Sequence, residues 1–114
     1  MIEKTERIIM LKDFYGSLLT QKQQDALNLY YEDDWSLSEI ADSMAISRQA
    51  VYDLLKRAEQ ALSDYEQRLS LLERFSLTRR CLDQVFEVLN HRKSIDQGEI
   101  EQVLSILGQI DQLI

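Results

Sequence analysis

Residues 36–57, SLSEIADSMAISRQAVYDLLKR, predict two helices joined by a tight turn. Ser36 and Glu39 have the spacing of a capping box, in which hydroxyl and carboxylate oxygens accept bonds from free amides at a helix start. Ser47 can cap a second helix only three residues after Met44. The stretch therefore predicts a helix-turn-helix, a corner that can present its second helix to a groove.

Apolar residues in this stretch recur at intervals of three and four, as expected for two helices that pack together. The stripes are Ile40, Ala41 and Met44 on the first helix, and Ala50, Val51, Leu54, Leu55 and Ala58 on the second. Ala41 is small, which suits a close approach of two helix axes. We expect both stripes to be buried.

The opposite face of the second helix is polar. The candidate nucleic-acid contacts are Ser47, Arg48, Gln49, Tyr52, Lys56 and Arg57. Arg reads guanine and Gln reads adenine by paired hydrogen bonds in the major groove, so Arg48 and Gln49 are the first candidates for base contact. Tyr52 is expected at a thymine methyl or sugar edge, and the helix start at Ser47 at a phosphate. Such a helical hairpin also serves as a protein interface, and its polar face can simply be solvated.

The formal charge of −7 opposes DNA binding, because duplex affinity depends on neutralising phosphates. Residues 1–62 hold seven Lys/Arg and eleven Asp/Glu, and residues 63–114 hold six and nine, so neither half is basic. Positive surface must be local, around Arg48, Lys56 and Arg57 with Lys22 as a further contributor. We expect weak, salt-sensitive or protein-assisted binding.

The sequence contains no recognisable catalytic centre. Cys81 is the only cysteine, so one chain forms neither an internal disulfide nor a cysteine-based metal cluster. His91 has no partner of ligand or triad type and suits a helix C-terminus. Residues 32–34, Glu-Asp-Asp, lack the alternating ligands of a calcium loop, and there is no glycine-rich phosphate loop. We expect no enzymatic activity, no cofactor and no metal.

The chain has 114 residues, no proline and three glycines, which fits one compact all-α domain. No segment approaches the roughly 18 uninterrupted apolar residues of a membrane span. The N-terminal sequence MIEKTERIIMLKDF does not resemble a secretory signal. We expect a cytoplasmic protein without a membrane partner.

Two further helices are predicted before the motif. The first runs from about Glu3 to Leu18, with a buried stripe of Ile8, Leu11, Tyr15 and Leu18. The second begins at a capping box of Thr20 and Gln23 and continues through Tyr31.

After the motif, the apolar pattern predicts an extended second helix and more helices beyond it. Leu62, Tyr65, Leu69 and Leu72 continue one face, and Phe75, Leu82, Val85, Phe86 and Leu89 continue another after a break around residues 70–76. Ser94 and Gln97 have capping-box spacing ahead of Ile100, Val103, Leu107, Ile110 and Ile114. We divide the chain into a helix-turn-helix unit, residues 1–62, and a helical extension, residues 63–114. The extension either bundles within the chain or, as we favour, forms a homodimer that offers two reading helices.

The stretch SLSEIADSMAISRQAVYDLLKRAEQAL resembles region 4 of bacterial sigma factors, and TQKQQDALNLYYEDDWS resembles the lead-in helix of that region. Together they cover roughly residues 18–62. With its short acidic chain and helical extension, the sequence is most similar to the YlxM-like family of small bacterial helix-turn-helix proteins, in which SRQAVYD is a recurring core. The resemblance implies a sigma-region-4-like bundle with long C-terminal helices. It also implies a cytoplasmic DNA-binding regulator, associated with signal recognition particle components through gene neighbourhood.

The resemblance assigns Ala41, Val51 and Leu54 to helix packing and the polar positions of the second helix to the groove. Ala45 stands where such turns commonly have glycine, and a left-handed conformation there costs of order 1 kcal/mol. Because this sequence shows neither a promoter-melting domain nor a long basic segment, we do not expect a complete sigma factor. The rival hypothesis is an adaptor that binds protein or RNA of the secretory targeting machinery through its acidic surface.

Overall fold

The computed structural model describes residues 3–90 and 96–113, and every regular element in these ranges is helical. The helices are α1 (Lys4–Tyr15), α2 (Gln21–Leu27), α3 (Leu37–Met44), α4 (Arg48–Leu69), α5 (Leu71–Asn90) and α6 (Gln97–Leu113). A 3₁₀ turn over Gly16–Leu18 follows α1, and a π-helical turn over Asn28–Glu32 follows α2. The predicted all-α fold is confirmed.

The chain divides into two compact units, one ending at Ser70 and the other beginning at Leu71. The first holds α1 to α4, including the whole helix-turn-helix stretch, and the second holds α5 and α6. The functional division into residues 1–62 and 63–114 stays a prediction. Within the described ranges, none of the helices combines the length and apolar character that a bilayer crossing requires.

The core of the first unit draws apolar side chains from all four of its helices. Buried there are Ile8, Leu11, Tyr15, Leu19, Ala26, Leu27, Ile40, Ala41, Val51, Leu55, Ala58 and Leu62. Helices α1, α2 and α3 each contact α4, so α4 is the central element of the unit. Burying each large side chain contributes about 1.5–3 kcal/mol, and this packing fixes the direction in which α4 projects its polar face.

The stripe predicted for the first helix is wrong at one residue, Leu18, which is exposed instead of buried. Ile8, Leu11 and Tyr15 are buried, but Leu18 is 54% exposed and Leu19 is 7% exposed. The backbone of Leu19 is extended, with φ −85° and ψ 163°. This extended residue ends the helical periodicity and places Leu19, instead of Leu18, in the core.

The predicted second helix begins at its capping box. The amide of Gln23 donates to Thr20 Oγ1 at 3.2 Å, and the amide of Thr20 donates to Gln23 Oε1 at 3.0 Å. The helical path continues through Tyr31, but its last residues form the π-helical turn instead of α-helix. Lys12 of α1 donates to Asn28 Oδ1 at 2.6 Å and so ties this turn to the first helix.

The C-terminal half of α4 is fixed to α1 by a buried polar contact. The Tyr15 hydroxyl donates to Glu66 Oε1 at 2.6 Å, and the rings of Tyr15 and Tyr65 stack with centroids 5.9 Å apart. Ser70 has φ 56° and ends the helix, which confirms the predicted break. Leu69, predicted on the apolar face, is the last residue of α4 and is 45% exposed.

The second unit is a pair of helices, α5 and α6, that pack against each other. The buried apolar residues of this unit, among those that the structure describes, are Leu72, Val85 and Ile106. Large apolar side chains on both helices are exposed, namely Leu71, Phe75, Phe86, Leu89, Ile100, Leu104 and Leu107. The predicted apolar faces of this unit are therefore only partly covered in one copy of the chain.

Helix α6 begins at a side-chain cap. The amide of Glu99 donates to Asp96 Oδ1 at 2.8 Å, directly before the first helical residue Gln97. The predicted cap residue Ser94 lies outside the described residues, as does His91.

Candidate nucleic-acid interface

The predicted corner is present between α3 and α4. Ser36 and Glu39 form the predicted capping box, with both hydrogen bonds at 3.1 Å. Helix α3 ends at Ala45, whose backbone is left-handed with φ 57° and ψ 43°. The amide of Ile46 then donates to the carbonyl of Ala41 at 3.1 Å, which closes the turn over the helix end. The chain thus changes direction within three residues.

Helix α4 begins where the sequence predicts. Ser47 is extended, with φ −75° and ψ 160°, and its Oγ accepts the amide of Ala50 at 3.0 Å. Arg48 is the first helical residue, so the remaining free amides of the first turn lie at the exposed end of the helix. This end has the partial positive charge that favours an anion.

All six candidate contact residues lie on the protein surface. They are Ser47, Arg48, Gln49, Tyr52, Lys56 and Arg57. Val51, Leu55 and Ala58 on the other side of α4 are buried in the core. The core therefore holds the helix, and the polar face remains accessible to a ligand.

The exposed residues do not all lie on one side of α4. Arg48, Tyr52 and Lys56 follow at intervals of four and form a stripe along one side. The ammonium of Lys56 lies 5.4 Å from the centroid of the Tyr52 ring, a cation–π contact. Arg57 follows Arg48 by nine residues and is rotated from it by about half a turn. The structure thus groups Lys56 with Arg48 and places Arg57 on the far side.

Gln49 has a neighbour that sequence reasoning did not assign a role. Its Nε2 donates to Asp53 Oδ1 at 3.0 Å, one turn further along α4. This bond holds the carboxamide in place, but it also brings a carboxylate to the face that would approach a nucleic acid. A carboxylate there opposes binding to phosphate and can accept a bond from the N4 amine of cytosine.

A cleft between α1 and α4 adds basic residues that the sequence analysis missed. It has a volume of about 300 Å³ and is lined by Lys4, Arg7, Ile8, Lys56, Glu59, Gln60 and Ser63. Lys4 and Arg7 are three residues apart and so share one side of α1. This spacing was the only feature of the sequence that could have indicated a basic surface there. Sequence gives no information on which helix that side approaches, so their proximity to Lys56 was not predictable.

Comparison with known proteins agrees with this geometry. The family described as "Putative helix-turn-helix protein, YlxM / p13 like" matches residues 2–104. A UPF0122 protein of Bacillus mycoides strain KBAB4 is 44% identical over 111 residues, which cover 97% of this chain and 100% of that protein. UPF0122 proteins of Bacillus cereus strain AH187 and Bacillus thuringiensis subsp. konkukian strain 97-27 are each 43% identical over the same shares. The chain therefore belongs to the UPF0122 family of YlxM/p13-like helix-turn-helix proteins.

Proposed function

We propose that this protein is a non-enzymatic, cytoplasmic DNA-binding regulator that reads duplex DNA with the N-terminal half of α4. The observation that carries the proposal is the capped two-helix corner, from which Arg48 and Gln49 project into solvent. Membership of a helix-turn-helix family supports the same role.

Each exposed residue has a distinct part in the proposed contact. Arg48 reads guanine and Gln49 reads adenine from the major groove. Tyr52 contacts a thymine methyl or a sugar edge, and the helix start at Ser47 binds a phosphate. Lys56 and Arg57 neutralise phosphates, and because Arg57 is rotated by about half a turn from Arg48 it faces the opposite wall of the groove.

The proposal includes a homodimer formed through α5 and α6. Phe75, Phe86 and Leu89 recur at helical spacing on α5, and Leu104 with Leu107 does so on α6, yet all five are exposed in the single chain. Exposed apolar faces of this kind are typical of protein interfaces. A two-fold dimer would bury them and present two reading helices, which offsets the low positive charge of each copy.

The second candidate function is an adaptor of the secretory targeting machinery, and the net charge of −7 favours it because an acidic surface attracts basic partners. The resemblance to the YlxM-like family implies, through gene neighbourhood, an association with signal recognition particle components. In this alternative the helix-turn-helix binds protein or structured RNA and has no sequence-specific contact with DNA.

Titration of the protein with duplex DNA and with structured RNA across a salt series distinguishes the two. The DNA-binding proposal predicts duplex binding at low salt. The logarithm of the affinity should then fall linearly with the logarithm of the salt concentration. Absence of duplex binding at low salt contradicts it, and binding to structured RNA alone supports the adaptor.

A further inference from the structure

We infer that the cleft between α1 and α4 binds a phosphate of the nucleic-acid backbone, with Arg7 as its main ligand and Lys56 beside it. The inference rests on the proposed function and adds to it a contact from outside the helix-turn-helix. It concerns backbone binding, which carries affinity, and not base reading, which carries selectivity.

The charge of the cleft lining is positive although the chain is acidic. Lys4, Arg7 and Lys56 line it together with a single carboxylate, Glu59. The ammonium of Lys4 lies 3.7 Å from Glu59 Oε1, and the Glu59 side chain is only 12% exposed. The cationic groups of Arg7 and Lys56 therefore remain uncompensated in the cleft, which favours an anion.

Tyr31 provides a second partner for the same carboxylate. Burial raises the pKa of the Tyr31 hydroxyl, and the nearby charge of Glu59 and a hydrogen bond to it raise that pKa further. The hydroxyl therefore stays protonated beside Glu59. Glu59 therefore has two partners, Lys4 and Tyr31, and the charge of Lys4 offsets the charge of this carboxylate in the cleft lining.

Arg7 has the chemistry and the freedom to take this ligand. Its side chain is exposed, and within residues 3–90 and 96–113 its guanidinium has no ion pair or hydrogen bond. A guanidinium presents paired N–H groups that match two phosphate oxygens. The cleft of about 300 Å³ can admit a phosphate beside the ammonium of Lys56, which makes the cation–π contact with Tyr52.

The position of the cleft along α4 fits the dimensions of DNA. Eight residues separate Arg48 from Lys56, which corresponds to a rise of about 12 Å along the helix. The major groove is about 12 Å wide and about 8.5 Å deep. When Arg48 is at the bases, the level of Lys56 lies near the groove edge, where the backbone phosphates are. The stripe of Arg48, Tyr52 and Lys56 runs toward the cleft on the same side of α4.

The test compares Arg7→Gln with Arg68→Gln in duplex titrations across a salt series. Both substitutions remove one positive charge from an exposed side chain, but Arg68 lies twelve residues beyond Lys56, about 18 Å further along α4. Arg7→Gln is expected to lower the slope of log affinity against log salt by about one and to weaken binding by about an order of magnitude at 50 mM salt. The loss of affinity caused by Arg7→Gln should be equal on selected and random sequences. Arg68→Gln should bind duplex DNA like the unsubstituted protein.

A scan of single methylphosphonate substitutions in a bound duplex locates the contact. At one position the uncharged linkage should weaken duplex binding by the unsubstituted protein. The same linkage should not weaken binding by Arg7→Gln any further. Equal behaviour of Arg7→Gln and Arg68→Gln, or no such position, overturns the inference and leaves the proposed function intact. If the unsubstituted protein binds no duplex at low salt, the proposed function is overturned and the inference with it.

Discussion

Ala45 is the residue on which the corner between α3 and α4 depends. It adopts the left-handed conformation, φ 57° and ψ 43°, that allows Ile46 to bond back to the end of α3. This conformation is unfavourable for a residue with a Cβ by roughly 1–2 kcal/mol. The buried side chains Ile40 and Val51 on either side of the turn hold it there.

Ala45→Gly is expected to stabilise the protein by up to about 1 kcal/mol, since relief of the left-handed strain exceeds the added freedom of the unfolded chain. Ala61→Gly, the same change within α4, is expected to destabilise by about 1 kcal/mol. Urea unfolding of both variants measures the two effects. A loss of stability in Ala45→Gly as large as that in Ala61→Gly contradicts the account of the turn.

Asp53 places a carboxylate beside Gln49 on the exposed face, where we expect it to oppose the proposed DNA binding. Asp53→Asn is expected to increase affinity for random duplex several-fold, because it removes that charge and keeps an oxygen that accepts from Gln49. Asp64→Asn is the matched control, since Gln60 Nε2 donates to Asp64 Oδ1 with the same 3.0 Å bond further along α4. Fluorescence anisotropy measures both. Equal gains would show that only net charge matters.

At the scale of the helix, α3 and α4 share one kind of start. Ser36 and Ser47 each accept a backbone amide of the first turn, yet only the start of α4 is assigned a phosphate. Loss of either cap leaves an unsatisfied amide in the first turn of the helix.

Ser36→Ala and Ser47→Ala are each expected to lower the free energy of unfolding by about 1 kcal/mol. Only Ser47→Ala should also weaken duplex binding, because it disturbs the amides expected at the phosphate. Urea unfolding combined with binding titration separates the two effects. Equal weakening of binding in both variants would remove the phosphate role of the α4 start.

The beginnings of the helices were predictable from sequence because their causes are local. A hydroxyl and a carboxylate or carboxamide three residues apart define the starts at Thr20 and Ser36, and both capping boxes are present. The exposure of Arg48 and Gln49 followed in the same way, from their positions opposite the apolar stripe.

The features that sequence did not reveal depend on contacts between distant segments. The core position of Leu19 depends on where the chain turns after the 3₁₀ turn. Arg7 and Lys56 lie nearly fifty positions apart in the sequence, so their grouping depends on how α1 packs against α4. Spacing within one helix carries no information on such packing.

At the scale of the whole molecule, charge and apolar surface have different distributions. The net charge of −7 spreads over both halves of the sequence, whereas Lys4, Arg7 and Lys56 come together in one cleft of the first unit. The exposed apolar side chains of α5 and α6 give a surface that one copy does not cover. These surfaces support the proposal that the first unit contacts DNA and the second forms the dimer.

Leu104→Glu is expected to convert the proposed dimer into monomers, because a charge would be placed in an apolar interface. Leu104 is 61% exposed in the single chain, so helix content should not change. Leu18→Glu is the matched control, because Leu18 is a leucine of the first unit with a similar exposure of 54%. Light scattering at micromolar concentration measures the mass. A monomeric unsubstituted protein contradicts the dimer.

The central claim is that Arg48 and Gln49 read bases from the exposed face of α4. Selection of bound fragments from a genomic library tests it most directly, with Arg48→Ala and Gln49→Ala compared with Arg68→Ala and Gln67→Ala near the other end of the helix. We predict that the first pair loses sequence enrichment while remaining folded and that the second pair retains it. Unchanged enrichment with Arg48→Ala and Gln49→Ala would contradict direct reading by this helix.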